Sequence, residues 1–256
     1  MIERSRLLPR PPRLLAIASG KGGVGKTWLA ISLAQALAAQ RVRVLLVDAD
    51  VGLANVDVQL GLDPKRDLSA LLRGEPIGAC ITPLPDLGFD VVAGRSGSGL
   101  LAGADETTGE RIITALAAPL PYDLAILDLG AGIERLQRHL AASADTLLVL
   151  TTDEPTALTD AYACLKLATL DNPNGDRRIV VNFASSRSAG ERTASILQKS
   201  CARFLGTTPP LAGIIRRDPR VPDAIRRQQA FLTRHPTSDA ARDVEALAAA
   251  LAPVPA

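Results

Sequence analysis

The run Gly20-Lys21-Gly22-Gly23-Val24-Gly25-Lys26-Thr27 constrains this chain more than any other stretch. It satisfies every fixed position of G-x-x-x-x-G-K-[ST], a loop that needs a strand before it and a helix after it. Both are present. Leu14 to Ala18 is a short apolar run that predicts a buried strand, and Leu29, Leu33, Ala36 and Leu37 recur at helical spacing in the segment that follows. Strand, glycine loop and helix together make a cradle for a polyphosphate. Glycines let successive N–H groups turn inward, and the helix N-terminus adds partial positive charge. Gly22, Gly23, Val24 and Gly25 form the cradle, Lys26 is placed to reach the β- and γ-phosphates, and the Thr27 hydroxyl is placed to ligate Mg²⁺.

The remaining chain alternates between strand and helix patterns. Apolar runs at 42–47, 90–93, 123–127, 146–150, 178–182 and 211–215 predict strands. Helices are predicted over 106–118, 155–170, 191–205, 222–231 and 238–251, with short ones within 51–61 and 67–73. The glycine- and serine-rich stretch 94–103 predicts a loop. Such alternation implies an α/β fold: a doubly wound, mostly parallel sheet with helices on both faces, and ligands at the carboxyl ends of the strands. Residues 14–256 are expected to form one domain. Residues 1–13, with four arginines and three prolines, are expected to be a flexible basic tail.

Aromatic residues make up only 3% of the chain, so aliphatic side chains must build the core. A net charge of +2 is too mild to imply nucleic acid by itself. Cys80, Cys164 and Cys201 are too far apart for a metal or redox pair and read as ordinary buried thiols of a reducing cytoplasm. No apolar stretch approaches the ~20 residues of a membrane span.

Acidic residues end two of the predicted strands, where a metal and an attacking water would lie. Asp128 closes Ala125-Ile126-Leu127 and fits a carboxylate that holds Mg²⁺ through water. Gly130 follows closely and can aim its N–H at the γ-phosphate. Asp48 and Asp50 close the second strand and can orient water or hold a metal-bound water.

Lys21 adds specificity. The run resembles the deviant phosphate loop KGGxGKT of the MinD/ParA class of P-loop ATPases. In that class the early lysine contacts the nucleotide of a partner subunit. Asp48-Ala49-Asp50-Val51-Gly52-Leu53-Ala54-Asn55-Val56-Asp57 resembles the second signature of MinD-like members. Glu154-Pro155-Thr156-Ala157-Leu158-Thr159-Asp160-Ala161-Tyr162-Ala163 is similar to the FlhG (FleN, YlxH) branch, which controls flagellar number and placement. The resemblance implies ATP and Mg²⁺ as cofactors, slow ATP hydrolysis and an ATP-dependent homodimer. It implies that Lys21, Lys26 and Asp50 carry the chemistry, Asp50 by positioning water. Asn182, ending Ile179-Val180-Val181, matches the asparagine that reads adenine in the family. The metal set would be Thr27, Asp48 and Asp128.

Three positions depart from the family pattern: Trp28, directly after Thr27 and expected among the cofactor-binding residues, Leu129 and Asp153. The tail 1–13 also lacks the Gln-rich motif of branch members that stimulate a flagellar GTPase. The branch implies flagellar regulatory or assembly proteins as partners, in the cytoplasm or peripherally at the inner face of the cell membrane. The last predicted helix, with Val244, Leu247 and Leu251 on one face, reads as core-packed rather than lipid-binding, because basic and large apolar groups are scarce. Two other readings stay open. A ParA-like partition ATPase would use the six arginines between Arg216 and Arg234 on DNA. A biosynthetic or assembly ATPase would use the same scaffold.

Overall fold

The computed structural model describes residues 10–94 and 106–252. Residues 1–9 of the expected tail and all of the expected glycine-serine loop after Gly94 lie outside the described residues. Strands are β1 (Arg13–Ser19), β2 (Val44–Ala49), β3 (Thr82–Leu84), β4 (Phe89–Val92), β5 (Leu124–Ala131), β6 (Thr146–Thr151), β7 (Asp176–Ala184) and β8 (Leu211–Arg216). Helices are α1 (Lys26–Ala39), α2 (Val56–Leu60), α3 (Leu68–Leu72), α4 (Ile77–Cys80), α5 (Glu106–Leu116), α6 (Arg135–Ser143), α7 (Pro155–Asp171), α8 (Arg187–Leu205), α9 (Val221–Arg226), α10 (Phe231–Arg234) and α11 (Asp239–Leu251).

The strands form one sheet in the order β3-β4-β2-β5-β1-β6-β7-β8. Every neighbouring pair is parallel except β3–β4. Strands covered on both faces must be apolar throughout, and all six residues of Val-Leu-Leu-Val-Asp-Ala in β2 are buried. Alternate residues serve opposite cores. Leu15, Ile17, Leu46 and Ile126 pack under α1 and α11, whereas Ala16, Leu45, Val47 and Leu127 face the side of α3 to α8. α1 is apolar nearly all round, and Leu29, Leu33 and Leu37 are fully buried. Each contributes ~1.5–3 kcal/mol by burial.

The chain winds from β1 toward β2 on one side, then from β5 toward β6 on the other. This reversal opens a crevice beyond the carboxyl ends of β1, β2 and β5, where an open parallel sheet binds ligands.

Some local expectations change. β1 begins at Arg13, and Arg10 bridges to Leu120, so the chain enters the fold before the expected tail boundary. The single helix expected over 222–231 is two, α9 and α10, because Gln228 takes a left-handed φ of 54°. Sequence patterning missed α4, α6 and β3. β3 is a three-residue antiparallel edge strand carrying Pro83, a position where proline costs no ladder bond. α11 packs as expected. Val244, Leu247 and Leu251 are buried, and Asp243 turns inward to hold Arg187 and Arg216. No helix among the described residues is long and apolar enough to cross a membrane.

Candidate functional site

The glycine loop joins β1 to α1 at the crevice. Gly25 is the N-cap of α1 with φ 91°, and no side chain caps the helix. The first-turn N–H groups are therefore open to an anion. Only glycine fits here. A Cβ on Gly25 would lie 2.5 Å from Asn182 Nδ2 and 3.1 Å from the Phe183 ring.

Lys26 is 8% exposed, and its ammonium donates to Ser19 Oγ at 2.9 Å. Ser19 in turn donates to the carbonyl of Lys21 at 2.6 Å. Burial pulls the Lys26 pKa below its ordinary value, while Asp128 and Asp50 oppose that shift. Asp128 lies at the end of β5, fully buried, and neither carboxylate oxygen has a hydrogen-bond partner of normal geometry. Burial first, then the charge of Asp48, pushes its pKa up to about 8; nearby Thr27 and Lys26 pull the other way. Two bare carboxylate oxygens buried beside Thr27 are an arrangement that a hydrated divalent cation satisfies.

Asp48 pairs in register with Asp128 across β2 and β5, but its oxygens are already engaged. Oδ2 accepts the N–H groups of Asn55 and Val56, each at 3.0 Å, and Oδ1 accepts that of Asp50 at 3.3 Å. Instead of standing free for a metal, Asp48 ties down the loop between β2 and α2. Its pKa is pushed up to about 6, chiefly by burial. Asp50 lies on that loop, half-buried, with Oδ1 accepting from Leu53 N at 3.1 Å.

A cavity of about 880 Å³ opens over these groups, within the ~300–1,000 Å³ of small-molecule sites. Gly22, Gly23, Gly25, Lys26, Thr27 and Asp50 line one wall; Phe183, Arg217, Pro219 and Pro222 line another. Asn182 stands behind the loop rather than in the cavity wall. It is fully buried, Nδ2 donates to the Val24 carbonyl at 2.8 Å, and Oδ1 has no partner. One acceptor is thus left without a partner, while the amide's other end braces the phosphate loop. Phe183 beside it holds a φ of 56°, a strained conformation for a bulky residue.

Lys21 folds back on its own chain, pairing with Glu154 and donating to Thr156 Oγ1 at 3.0 Å. The pair is exposed and holds the Glu154 carboxyl below its usual range. Trp28 touches the cavity but is 5% exposed, its ring edge-on to Phe231 with centroids 5.4 Å apart. It joins α1 to α10, so its packing is mainly that of a core residue. Gly130 and Leu129 lie within β5, with Leu129 fully buried in the core. Ser19, Phe183 and the Glu154 contact carry no spacing signal that sequence reasoning could have used.

Of the six arginines between Arg216 and Arg234, four are paired inside the chain. Arg216 binds Asp239 and Asp243, Arg220 binds Asp218, and Arg227 and Arg234 share Asp223. Arg217 and Arg226 face the cavity. This tract is therefore not a free basic surface. The three cysteines are buried free thiols.

Comparison with known proteins agrees with this arrangement. Residues 15–231 match the family described as the CobQ/CobB/MinD/ParA nucleotide binding domain. The chain is 35% identical to the antiactivator FleN of Pseudomonas aeruginosa over 93% of its length and 85% of that protein. It is 31% identical to the flagellum site-determining protein YlxH of Helicobacter pylori over 73% of its length and 63% of that protein. The cell division ATPase MinD of Pyrococcus furiosus superposes with a TM-score of 0.79 at 24% identity, covering 93% of this chain and 98% of that one. MinD from Pyrococcus horikoshii, solved with Mg-ADP, gives 0.77 at 22% identity, covering 93% and 94%.

Proposed function

The chain belongs to the CobQ/CobB/MinD/ParA nucleotide-binding family and is an ATPase that uses ATP and Mg²⁺; from this premise we propose that it works as an ATP-dependent dimerisation switch that positions or counts flagella. The observation that carries this reading is a nucleotide site left incomplete: a buried Asp128 with no hydrogen bond of normal geometry and a buried Lys26 lie behind an uncapped helix N-terminus. The residues present fit the cofactors. Thr27 and Asp128 would hold Mg²⁺, and Asp48 would support them by fixing the loop that carries Asp50. When bound, Mg²⁺ and the triphosphate supply the positive charge and the anionic leaving group that phosphoryl transfer needs.

In this reading Lys26 and the N–H groups of the loop neutralise the phosphates. Asp50 orients water. Gly130 N–H follows the γ-phosphate, and Asn182 Oδ1 accepts from the adenine amine. Lys21 leaves Glu154 and Thr156 and reaches the nucleotide of a second copy of the chain. The exposed Lys21–Glu154 pair is weak enough to be exchanged. The flagellar assignment is supported by the names of FleN and YlxH, and the site of action is the cytoplasm or the inner membrane face. The paired arginines speak against a DNA-partition role.

Light scattering on Asp50→Ala tests the switch. ATP should give a dimer and ADP a monomer, and Lys21→Ala should lose the ATP dimer while keeping most nucleotide affinity. A Lys21→Ala protein that still dimerises with ATP would refute the cross-subunit role.

A further inference from the structure

Gly130 lies inside β5, where a glycine weakens a strand and marks a close approach by another group. Two groups make that approach. A Cβ at Gly130 would lie 2.9 Å from Gln137 Nε2 and 3.1 Å from Asp50 Oδ1. The carboxamide and the carboxylate thus converge on one α-carbon, no more than about 6 Å apart, a gap that one water can bridge. Gln137 reaches this point from the first turn of α6, whose neighbours Leu136 and Leu140 are locked in the core. Its Oε1 is buried and has no hydrogen-bond partner. An amide oxygen left bare inside a protein is costly, on the order of 1–3 kcal/mol. Such a group is either a packing residue that happens to be polar or one whose partner arrives with the ligand.

We propose that Gln137 is a positioning residue for ATP hydrolysis, holding the Asp50 carboxylate over Gly130 by its side-chain N–H through one bridging water. The inference rests on the reading of Asp50 as the group that orients water. Asp50 sits on a loop and has one backbone partner, Leu53 N. A second contact, from a helix rooted in the core, removes the freedom that a loop carboxylate would otherwise keep. Gly130 is part of the device, because a side chain there would push the amide and the carboxylate apart.

The test compares Gln137→Ala and Gln137→Met with Asp50→Ala. Methionine keeps the length and packing of glutamine but has no N–H to donate. Both Gln137 variants should lose about 10- to 100-fold in kcat, the size of effect that misplacement of a catalytic group produces. ATP affinity and the melting temperature of Gln137→Met should stay at parental values. A packing role instead predicts parental turnover for Gln137→Met, and that result would overturn the proposal. A readout independent of turnover is the side-chain amide resonance of Gln137 in nucleotide-free protein. It should move in Asp50→Asn; an unmoved resonance would show that the two groups do not communicate. Full activity in Asp50→Ala would overturn the Asp50 reading and this inference together. An inactive Asp50→Ala beside a fully active Gln137→Ala would overturn this inference alone.

Discussion

Replacing Asp128 by asparagine should make the nucleotide-free protein more stable while removing its Mg²⁺-dependent activity. Asp128 is fully buried with no hydrogen bond of normal geometry, and its pKa is pushed from 3.8 up to about 8. A carboxyl whose folded-state pKa is raised keeps its proton longer in the native state. Its effect is therefore absent below the unfolded pKa, and stability falls as pH rises toward the folded pKa. Within that window each pH unit costs ~1.4 kcal/mol. Between pH 6 and pH 8 this group should lower the stability of the parent by ~2 kcal/mol, the loss tapering as pH nears about 8. Asparagine carries no such charge. Its own unmet hydrogen bonds and the lost attraction to Lys26 change little over this range, so they cancel in the difference between the two pH values. Asp48 is present in both proteins, and with its pKa at about 6 it ionises mainly before Asp128. For a chain of this size the ~2 kcal/mol corresponds to a difference of roughly 4–8 °C in melting temperature. Thermal melts of both proteins at pH 6 and pH 8, without nucleotide, read it directly. Adding Mg·ADP should then stabilise the parent more than the variant. An Asp128→Asn protein whose advantage is the same at both pH values would refute the claim that a buried charge destabilises the empty site.

Gly25→Ala should cost ~1–2 kcal/mol through its left-handed φ and should abolish ATP binding by displacing Asn182; parental affinity in calorimetry would refute the packing argument. Lys26→Ala should abolish nucleotide binding, since no other buried ammonium faces the loop among the described residues; retained binding in equilibrium dialysis would contradict this. Asn182→Ala removes both the brace on the Val24 carbonyl and the free Oδ1, so ATP affinity should fall and the preference over GTP should erode. Equal affinities for ATP and GTP in the parent would count against an adenine-reading asparagine. Glu154→Gln should leave the melting temperature unchanged, because its pair with Lys21 is exposed.

What the sequence made legible was set by period and chemistry. Long apolar runs and the spacing of Leu29, Leu33 and Leu37 identified the strands of the parallel sheet and α1. The phosphate loop announced itself through a template whose glycines have no substitute. What stayed hidden depends on tertiary approach. α6 contributes only Leu136 and Leu140 to the core, too few for its period to stand out, and so Gln137 went unnoticed. Gly130 could be read as a residue facing phosphate, but not as the gap that admits Gln137 and Asp50. Asp48 and Asp128 look alike in sequence, each closing an apolar strand. They differ because three N–H groups turn toward Asp48 and none toward Asp128. Asn182 was singled out, but its use as a brace for the loop is a matter of which strand end lies behind Gly25.

The distribution of paired and unpaired charge separates stability from function in this molecule. Around the rim, arginines are matched to aspartates of the same chain: Arg43 with Asp123, Arg138 with Asp171, Arg216 with Asp243. In the centre the balance is left open. Asp128 has no hydrogen bond of normal geometry, Lys26 has only a neutral hydroxyl, Asn182 keeps a bare oxygen, and the first turn of α1 has no cap. None of these groups gains from folding alone, and each is costly to bury. A divalent cation, a triphosphate and an adenine amine would satisfy them together. Binding energy is then spent on completing a core rather than on a surface contact, so occupancy should stiffen the loop of Asp50 and the end of β5 at once. That coupling, from a buried centre to a surface loop, is the physical basis on which the proposed switch would let a nucleotide govern assembly.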